Sequence, residues 1–360
     1  MTLPLPYDVT AFHELIGRAQ SCRACPEMSD CNRVLSDANG PGHAKIMFIG
    51  EAPGRLGAER TAIPFHGDTA GENFERLLAL AGLSRAEVFV TNSILCNPTD
   101  AKGNNAPPSK QSIRNCSRLL ADQIEIVGSS IIVTLGAAAL SALNLISPHE
   151  LTLSKSVRTT QEWNGLTLIP LYHPGARAMI HRNFVTQTAD YYFVGEKFRR
   201  LDGGHKSARA EAPSRAGWKV VEHVLSKFNT LTLFQLHKIM YLIDYRSILE
   251  NGSRVTDFFY IRQKDGPYCV ELGTKWYKKY DGLHITFQSG VPILNWCKND
   301  LFSLNPNINF VHQRWVNEFL DSLGTPTDSK LKTRAYLTAP MKRALNSEKF
   351  GRVGLNRALL

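Results

Sequence analysis

Four short apolar runs recur in the first half of the chain, each with the length of a buried strand. They are "KIMFIG" at 45–50, "VFVTNSI" at 88–94, "SSIIVTLG" at 129–136 and "LTLIPLYHP" at 166–174. The stretches between them, such as "ENFERLLALAGL", carry apolar residues at three- and four-residue spacing and therefore predict helices. This alternation predicts an α/β fold of three α/β/α layers with a central four-stranded parallel sheet.

Three segments rich in Gly, Asn, His and Pro begin where these predicted strands end. "GEAPG" follows the first strand, "TNSILCNP" the second and "YHPGAR" the fourth. Ligands bind at the carboxyl ends of the strands in sheets of this kind. We therefore expect the three segments to meet at one site.

The apolar pattern changes near residue 200. In 201–215, Gly, Ser, Ala and basic residues replace apolar ones, which predicts a linker between one domain at 1–200 and a second at 216–360. A length of 360 residues also favours two domains. The second half combines helical patterns such as "LTLFQLHKIMYLIDYRSILENG" with strand-like ones such as "LHITFQS". It is expected to be a mostly helical α+β domain.

The composition is that of a soluble globular protein. No window reaches the roughly 18 consecutive apolar residues of a membrane span. The first residues, "MTLPLPYDVTAFHELI", lack the basic-then-apolar order of a signal peptide. We therefore expect a cytoplasmic protein with no membrane partner.

The net charge of +10 is unevenly distributed. Residues 1–204 carry 19 basic and 19 acidic side chains, so the whole excess lies in the second half. Such an excess is typical of nucleic-acid binding, and equally of a solvated surface. Both interpretations also apply to "TKWYKKY" at 274–280, where lysines alternate with aromatic rings.

Five of the seven cysteines lie before residue 120, including Cys31. In a cytoplasmic chain this favours metal binding over disulfides. Cys22 and Cys25 form a CxxC pair, and Cys96 and Cys116 lie further along the chain. Four thiolates of this kind can enclose either one tetrahedral zinc ion or an iron–sulfur cluster.

Taken in order, the CxxC pair, "GEAPG", "RTAIPFHGDTAG", "VTNSILCNP" and "YHPGAR" resemble the iron–sulfur uracil-DNA glycosylases, families four and five of that superfamily. The resemblance covers about 18–200. It implies a monofunctional DNA glycosylase that hydrolyses the N-glycosidic bond of uracil, or of a related or modified base, in single- or double-stranded DNA. It also implies a 4Fe-4S cluster held by Cys22, Cys25, Cys96 and Cys116, with zinc as the alternative.

The resemblance assigns roles at the active site. Glu51 matches the catalytic acid of family four, whereas Asp68 matches that of family five, so the sequence is a hybrid and either acid is a candidate. His173 is similar to the histidine that donates to the base oxygen. Phe65 is similar to the aromatic residue that stacks on the flipped base, and Asn92 to the asparagine that reads its edge. The remaining base-binding positions are Gly50, Ala52, Pro53 and Gly54.

Two features depart from the family pattern. Gly175 replaces a serine that grips phosphate, which leaves DNA contact to backbone amides or to Arg177, at the position of the family's wedge residue. The segment 97–116 is also longer than its family equivalent, and it is expected to widen the base pocket.

The second half resembles the Panacea (SocA-like) antitoxin-associated domain over about 216–300, through "LHKIMYLIDY" and "DFFYIRQKDGP". That resemblance implies a protein partner or toxin, and its fusion to a glycosylase leads to the hypothesis of phage defence. Two alternatives stay open. One is a modified-base sensor without catalysis. The other is a zinc-stabilised nucleotide hydrolase, although the sequence lacks a GxxxxGK motif.

Overall fold

The computed structural model describes residues 8–201, 216–273, 282–297, 312–350 and 356–360. It divides the chain into two units, Met1–Gly204 and His205–Leu360. Of the linker predicted at 201–215, Leu201 is the last residue of a helix and the rest lies outside the described residues, as does the lysine–aromatic cluster at 274–280.

The first unit alternates strands and helices in the predicted order. Its strands are β1 (Ile46–Gly50), β2 (Val88–Asn92), β3 (Ile131–Leu135), β4 (Gln161–Trp163) and β5 (Leu166–Leu171). Its helices are α1 (Val9–Ser21), α2 (Ala58–Thr61), α3 (Thr69–Ala81), α4 (Lys110–Val127), α5 (Ala137–Leu143), α6 (Leu153–Ser156), α7 (Ala176–Met179) and α8 (Phe184–Leu201). Short 3-10 turns occupy Pro26–Met28, Asp37–Asn39 and Arg85–Glu87.

The sheet of the first unit has the order β2-β1-β3-β5-β4. Its first four strands are parallel, which confirms the predicted fold class. The fifth, β4, is an antiparallel edge strand that the apolar pattern did not predict, because "QEW" is short and polar. The sequence signal for this strand was the Asn164-Gly165 pair that follows it. Both residues have positive φ, as a tight hairpin requires.

Alternate residues of the parallel strands pack on opposite faces of this sheet. Met47 and Ile49 belong to the core that includes α1, α4 and α5. Ile46 and Phe48 belong to the core that includes α3 and α8. Burial on both faces explains why these strands are continuous apolar runs, since neither set of side chains meets water.

The second unit is built around α10 (Leu233–Asn251), which is buried on nearly every side from Leu236 to Asp244. The other helices are α9 (Ala216–Phe228), α11 (Gln313–Leu323), α12 (Asp328–Tyr336) and α13 (Ala339–Lys349), with a 3-10 turn at Val270–Leu272. The strands are β6 (Thr230–Thr232), β7 (Tyr260–Gln263), β8 (Gly266–Cys269), β9 (Leu283–Gln288) and β10 (Val291–Trp296). They form an antiparallel sheet β6-β10-β9 and a β7-β8 hairpin.

Candidate functional site

The parallel strands bring three functional segments to one edge of the sheet. Gly50 at the end of β1 pairs with Asn92 at the end of β2. His173 lies two residues beyond the end of β5. The meeting of "GEAPG", "TNSILCNP" and "YHPGAR" results from this topology, because parallel strands end at the same edge.

Gly50 is the point where the site's side chains converge. A Cβ atom added there would lie 2.4 Å from Oδ1 of Asn92 and 2.6 Å from Cε2 of Phe65. Both side chains therefore pack over bare backbone, and a larger residue at position 50 would displace one of them. Phe65 adopts this position with a φ of +51°, which is unusual for a residue with a side chain.

Asn92 is buried without any hydrogen-bond partner. It is 2% exposed, and neither Oδ1 nor Nδ2 of its side chain has a hydrogen-bond partner among the residues that the structure describes. Leaving a buried polar group unsatisfied costs about 1–3 kcal/mol, so such groups are rare without a function. An amide presents one acceptor and two donor hydrogens, which suits the hydrogen-bonding edge of a heterocyclic base.

Aromatic rings form the wall beside this amide. The Phe65 ring lies 5.3 Å from the His173 ring and 5.1 Å from the Phe74 ring, between centroids. Phe74 is buried in the core of α3. The wall is therefore anchored from behind by the core of the first unit.

His173 is held in one tautomer. Its Nδ1 accepts a hydrogen bond from the backbone N–H of Gly175 at 2.9 Å, which leaves Nε2 to carry the proton of the neutral ring. Burial lowers the pKa of His173 to about 4, and the negative charge of Asp68 opposes that fall. The ring is therefore neutral near pH 7 and presents an N–H donor.

Gly175 explains one departure from the family pattern. A Cβ atom there would lie 2.8 Å from Nδ1 of His173, closer than atoms pack. The backbone hydrogen bond to His173 thus requires glycine in this arrangement. Arg177 lies in the exposed turn α7, and Asn73 supports the segment by donating to the Pro174 carbonyl at 3.0 Å.

The two candidate acids occupy different environments. Asp68 is the N-cap of α3, where its Oδ1 accepts from the Gly71 N–H at 2.8 Å. Its Oδ2 faces the first loop, which comprises residues 51–57 between β1 and α2, since a Cβ atom added at Gly54 would lie 3.0 Å from this oxygen. Burial raises the pKa of Glu51, and the positive charge of Arg177 opposes that rise. Different surroundings of this kind separate the roles of paired carboxyl groups.

Asn97 fixes the first loop, a role that sequence reasoning missed. Its Nδ2 donates to the Pro53 carbonyl at 2.6 Å and to Oδ1 of Asn105 at 3.0 Å. The same Oδ1 accepts from the Arg55 N–H at 2.9 Å. The long segment 97–116 therefore folds against the loop that follows β1, and its only sequence signal was its extra length.

We expect Asn97→Leu to destabilise the full chain by about 1–3 kcal/mol, because the Pro53 carbonyl would lose its buried donor. Thermal and denaturant unfolding would measure the loss. Asn105→Asp is the matched control, since a carboxylate oxygen still accepts from Asn97 and from the Arg55 N–H. Equal losses in both variants would contradict this role for Asn97.

The cysteines of the first half share one neighbourhood. Cys25, Cys31 and Cys96 pack around a small core of Met28, Ile94 and Cys116, and Ala52 of the first loop touches the same core. Burial raises the pKa of the Cys96 thiol to about 12, with smaller contributions from Cys116, Cys31 and Cys25. Burial also raises the pKa of the Cys116 thiol to about 11. A hydrogen bond with the Leu95 backbone lowers this pKa, and the neighbouring Cys25 and Cys22 raise it.

Of the four predicted ligands, Cys116 lies within electrostatic reach of Cys22, Cys25 and Cys96. A tetrahedral zinc ion with Zn–S bonds of about 2.3 Å needs sulfur atoms roughly 3.8 Å apart. Among the residues that the structure describes, no three His, Cys, Asp or Glu side chains converge closely enough to hold a single metal ion. The thiols fit a sulfur-ligated group in donor type and in their apolar setting.

The site also has an exposed apolar residue, Ile180, that sequence reasoning missed. It directly follows α7 and is 82% exposed. Its neighbour in this turn is Arg177, also exposed. The turn after β5 therefore presents one apolar and one cationic side chain to solvent.

We expect His173 to make stability depend on pH. The unfolded chain takes up a proton near the ordinary pKa of 6.5, whereas folded His173 does so only near 4. Its contribution is therefore fully present above pH 6.5 and is lost as pH falls towards 4. Between pH 7.5 and pH 5, wild type should lose about 2 kcal/mol more stability than His173→Gln in denaturant unfolding. Parallel losses would contradict this.

No helix within the described ranges is both long and apolar enough to cross a membrane.

Comparison with known proteins identifies the family. Residues 38–193 match the model of the uracil DNA glycosylase superfamily. A type-4 uracil-DNA glycosylase of Thermotoga maritima is 33% identical over 159 residues, 44% of this chain and 78% of that protein. The type-4 enzyme of Archaeoglobus fulgidus is 32% identical over 168 residues, 45% and 81% of the two chains. A type-5 uracil-DNA glycosylase of Pyrobaculum aerophilum is 24% identical over 160 residues, 37% and 69%.

These matches cover the strand ends and the aromatic wall around Asn92, and the site geometry agrees with them. The chain belongs to the uracil-DNA glycosylase superfamily.

Proposed function

We propose that the protein is a DNA glycosylase that hydrolyses the N-glycosidic bond of uracil, or of a related or modified base, in DNA. The observation that carries this proposal is the buried, unpartnered amide of Asn92 above Gly50. Similarity to type-4 and type-5 uracil-DNA glycosylases supports it. A glycosylase flips its target out of the helix and reads the base edge in a pocket of this kind.

In this proposal the flipped base enters beside Phe65, whose ring provides a stacking surface. Oδ1 of Asn92 accepts from the N3–H of uracil, and Nδ2 donates to O4. The loop from Gly50 to Gly54, including Ala52 and Pro53, closes the pocket from the β1 side. No hydrogen bond from the chain fixes which way the Asn92 amide points. The amide alone would therefore not separate a keto edge from an amino edge, and pocket shape must contribute to base choice.

His173 would stabilise the departing base. When the bond between C1′ and N1 breaks, its electron pair goes to the base and negative charge develops on O2. The neutral imidazole already carries its proton on Nε2, so it can donate a hydrogen bond to that oxygen with no prior change of protonation. A fixed donor at the site of developing charge is the largest catalytic contribution in many enzymes.

An acid would then complete the hydrolysis. Water attacks C1′ and loses a proton to a carboxylate, which gives an abasic sugar and, after protonation, the free base. We propose that Glu51 is the carboxylate that accepts this proton from water, because its raised pKa suits a general base. Asp68, held by its cap to α3, would stabilise the cationic sugar. The side chains proposed here include no amine, which supports monofunctional hydrolysis.

The turn after β5 would contact the DNA backbone. Arg177 would supply charge, and the exposed Ile180 an apolar group of the kind that inserts between base steps, whereas the N–H and the carbonyl of Gly175 are already bonded within the chain.

We further propose a 4Fe-4S cluster held by Cys22, Cys25, Cys96 and Cys116. When bound, such a cluster would join three chain segments, namely the CxxC pair and the segments that carry Cys96 and Cys116, and its role would be structural. The shared, apolar neighbourhood of Cys25, Cys96 and Cys116 supports three of these ligands, and the resemblance to iron–sulfur family members supports Cys22 as the fourth.

The purified protein should be yellow-brown and contain about four irons per chain, because iron–sulfur clusters absorb visible light and d10 zinc does not. Cys116→Ser should lose the colour. Cys269→Ser is the control, because Cys269 is buried in the second unit. A colourless protein with one zinc ion per chain would establish the zinc alternative.

The test of function is abasic-site formation by the full chain on uracil-containing oligonucleotides, single- and double-stranded. Release of uracil is the expected result. The same assay on phage DNA with modified bases would reveal a different substrate. Binding of such DNA without release of any base would favour the sensor instead.

For the second half, we propose a Panacea-like domain at 216–360 that binds a partner protein, in a cytoplasmic system for phage defence. Sequence resemblance alone supports this part of the proposal. Co-purification with a toxin encoded beside the protein, and protection of cells against phage, would test it.

A further inference from the structure

The second unit contains a cavity that none of the roles above uses. It has a volume of about 410 Å³ and lies between α10, α11 and the end of α12. Leu242 and Tyr245 line it from α10, Phe319 from α11, and Leu337 from the end of α12. This size is in the range of small-molecule sites, and the apolar walls suit a planar or aliphatic group.

Two arginines also line this cavity, Arg246 from α10 and Arg334 from α12. No acidic side chain among the described residues lines it. Arg246 pairs with Glu250, which also accepts from Nε1 of Trp315 at 2.7 Å. Arg334 is exposed and forms no ion pair within the described part of the chain. Glu250 therefore neutralises Arg246, and Arg334 carries the positive charge at the rim of the cavity that no described carboxylate neutralises.

A third arginine lies close by. Thr338 lines the cavity, and its hydroxyl bonds that of Tyr241 at 2.7 Å. Burial raises the pKa of Tyr241, and the positive charge of Arg343 is among the contributions that oppose the rise. Arg343 is thus within electrostatic reach of the same end of the cavity. Arg343 does not itself line the cavity, so two guanidinium groups, those of Arg246 and Arg334, line a pocket with aromatic and aliphatic walls.

We propose that this cavity binds a nucleoside phosphate. Guanidinium groups bind phosphate oxygens through paired hydrogen bonds, and aromatic side chains provide surfaces on which bases stack. The whole basic excess of the chain lies in this half, which favours an anionic ligand. The ligand is either a free nucleotide or one nucleotide of a DNA strand, because both present the same chemistry. This site does not depend on the glycosylase reaction.

The test compares Arg334→Glu with Lys330→Glu in the full chain. Lys330 lies one turn earlier on α12, is also exposed, and does not line the cavity. The probes are dAMP, followed by calorimetry, and a labelled single-stranded oligonucleotide without uracil, followed by anisotropy. Arg334→Glu should weaken binding by about 10- to 100-fold, as expected for a charge-assisted phosphate contact. Lys330→Glu should weaken it about two- to threefold, through long-range charge alone.

The two probes separate the sources of the ligand. Selective loss of dAMP binding identifies a free-nucleotide site, and selective loss of oligonucleotide binding alone identifies contact with a strand. Equal weakening by both variants would overturn the proposal in favour of general electrostatic attraction. Wild-type protein that binds neither probe would also overturn it, and an acidic protein partner would then fit this surface better. Because no probe contains uracil, these outcomes leave the glycosylase proposal untouched.

Discussion

Replacing Asn92 with leucine is expected to lower kcat/KM for base release by about 10- to 100-fold while leaving the fold at least as stable as in the wild type. The activity falls because the base edge loses both of its hydrogen bonds. The stability does not fall, because neither atom of the amide has a partner in the folded chain. An apolar side chain of similar shape removes an unsatisfied group and should raise the unfolding free energy by about 1–3 kcal/mol.

Asn97 provides the control for this prediction. Both asparagines are 2% exposed, but Asn97 donates to two acceptors whereas Asn92 has none. The same substitution should therefore destabilise at position 97 and not at position 92. Denaturant unfolding and abasic-site formation would be measured on both variants. A loss of stability in Asn92→Leu as large as that in Asn97→Leu would mean that Asn92 is structural.

The convergence of the three loop segments at one edge of the sheet could be predicted from sequence, because it depends on strand topology alone. Apolar runs on both sides of "GEAPG" and "TNSILCNP" indicate parallel strands, and the loops that leave parallel strands emerge at one edge of the sheet. This was enough to bring Gly50, Asn92 and His173 together.

The supporting contacts could not be predicted, because they join residues far apart in sequence. The bonds from Asn97 to Pro53 and from Asn73 to the Pro174 carbonyl depend on how loops fold over one another. Ile180 has an ordinary sequence environment, and only its exposure marks it. The cavity beside Arg334 likewise needs three helices that the sequence does not place side by side.

Gly175 shows how structure can explain a departure from a family pattern. In the sequence, glycine stands at position 175 where the family pattern has a serine, and the family resemblance implied that a phosphate contact is lost there. In the structure the same glycine lets its own N–H reach Nδ1 of His173. Its N–H thus fixes the tautomer of the histidine and is not left over for the DNA backbone.

The two acids should differ sharply when each is neutralised. Glu51→Gln is expected to lower kcat by about 10²- to 10⁴-fold, the usual contribution of a positioned general base. Asp68→Asn should lose about tenfold or less, because asparagine still caps α3 and only the electrostatic support of the sugar is removed. Uracil release under single-turnover conditions would measure both rates.

The pH dependence of kcat distinguishes these roles further. Wild-type activity should rise with pH as Glu51 ionises, at a pKa above the ordinary 4.5 because burial raises it. Arg177→Gln should move this rise to higher pH, since it removes the positive charge that favours the ionised acid. Glu51→Gln should abolish the rise, and Asp68→Asn should leave it in place. If Asp68→Asn abolishes it instead, Asp68 is the base that activates water, and Glu51 supports the sugar.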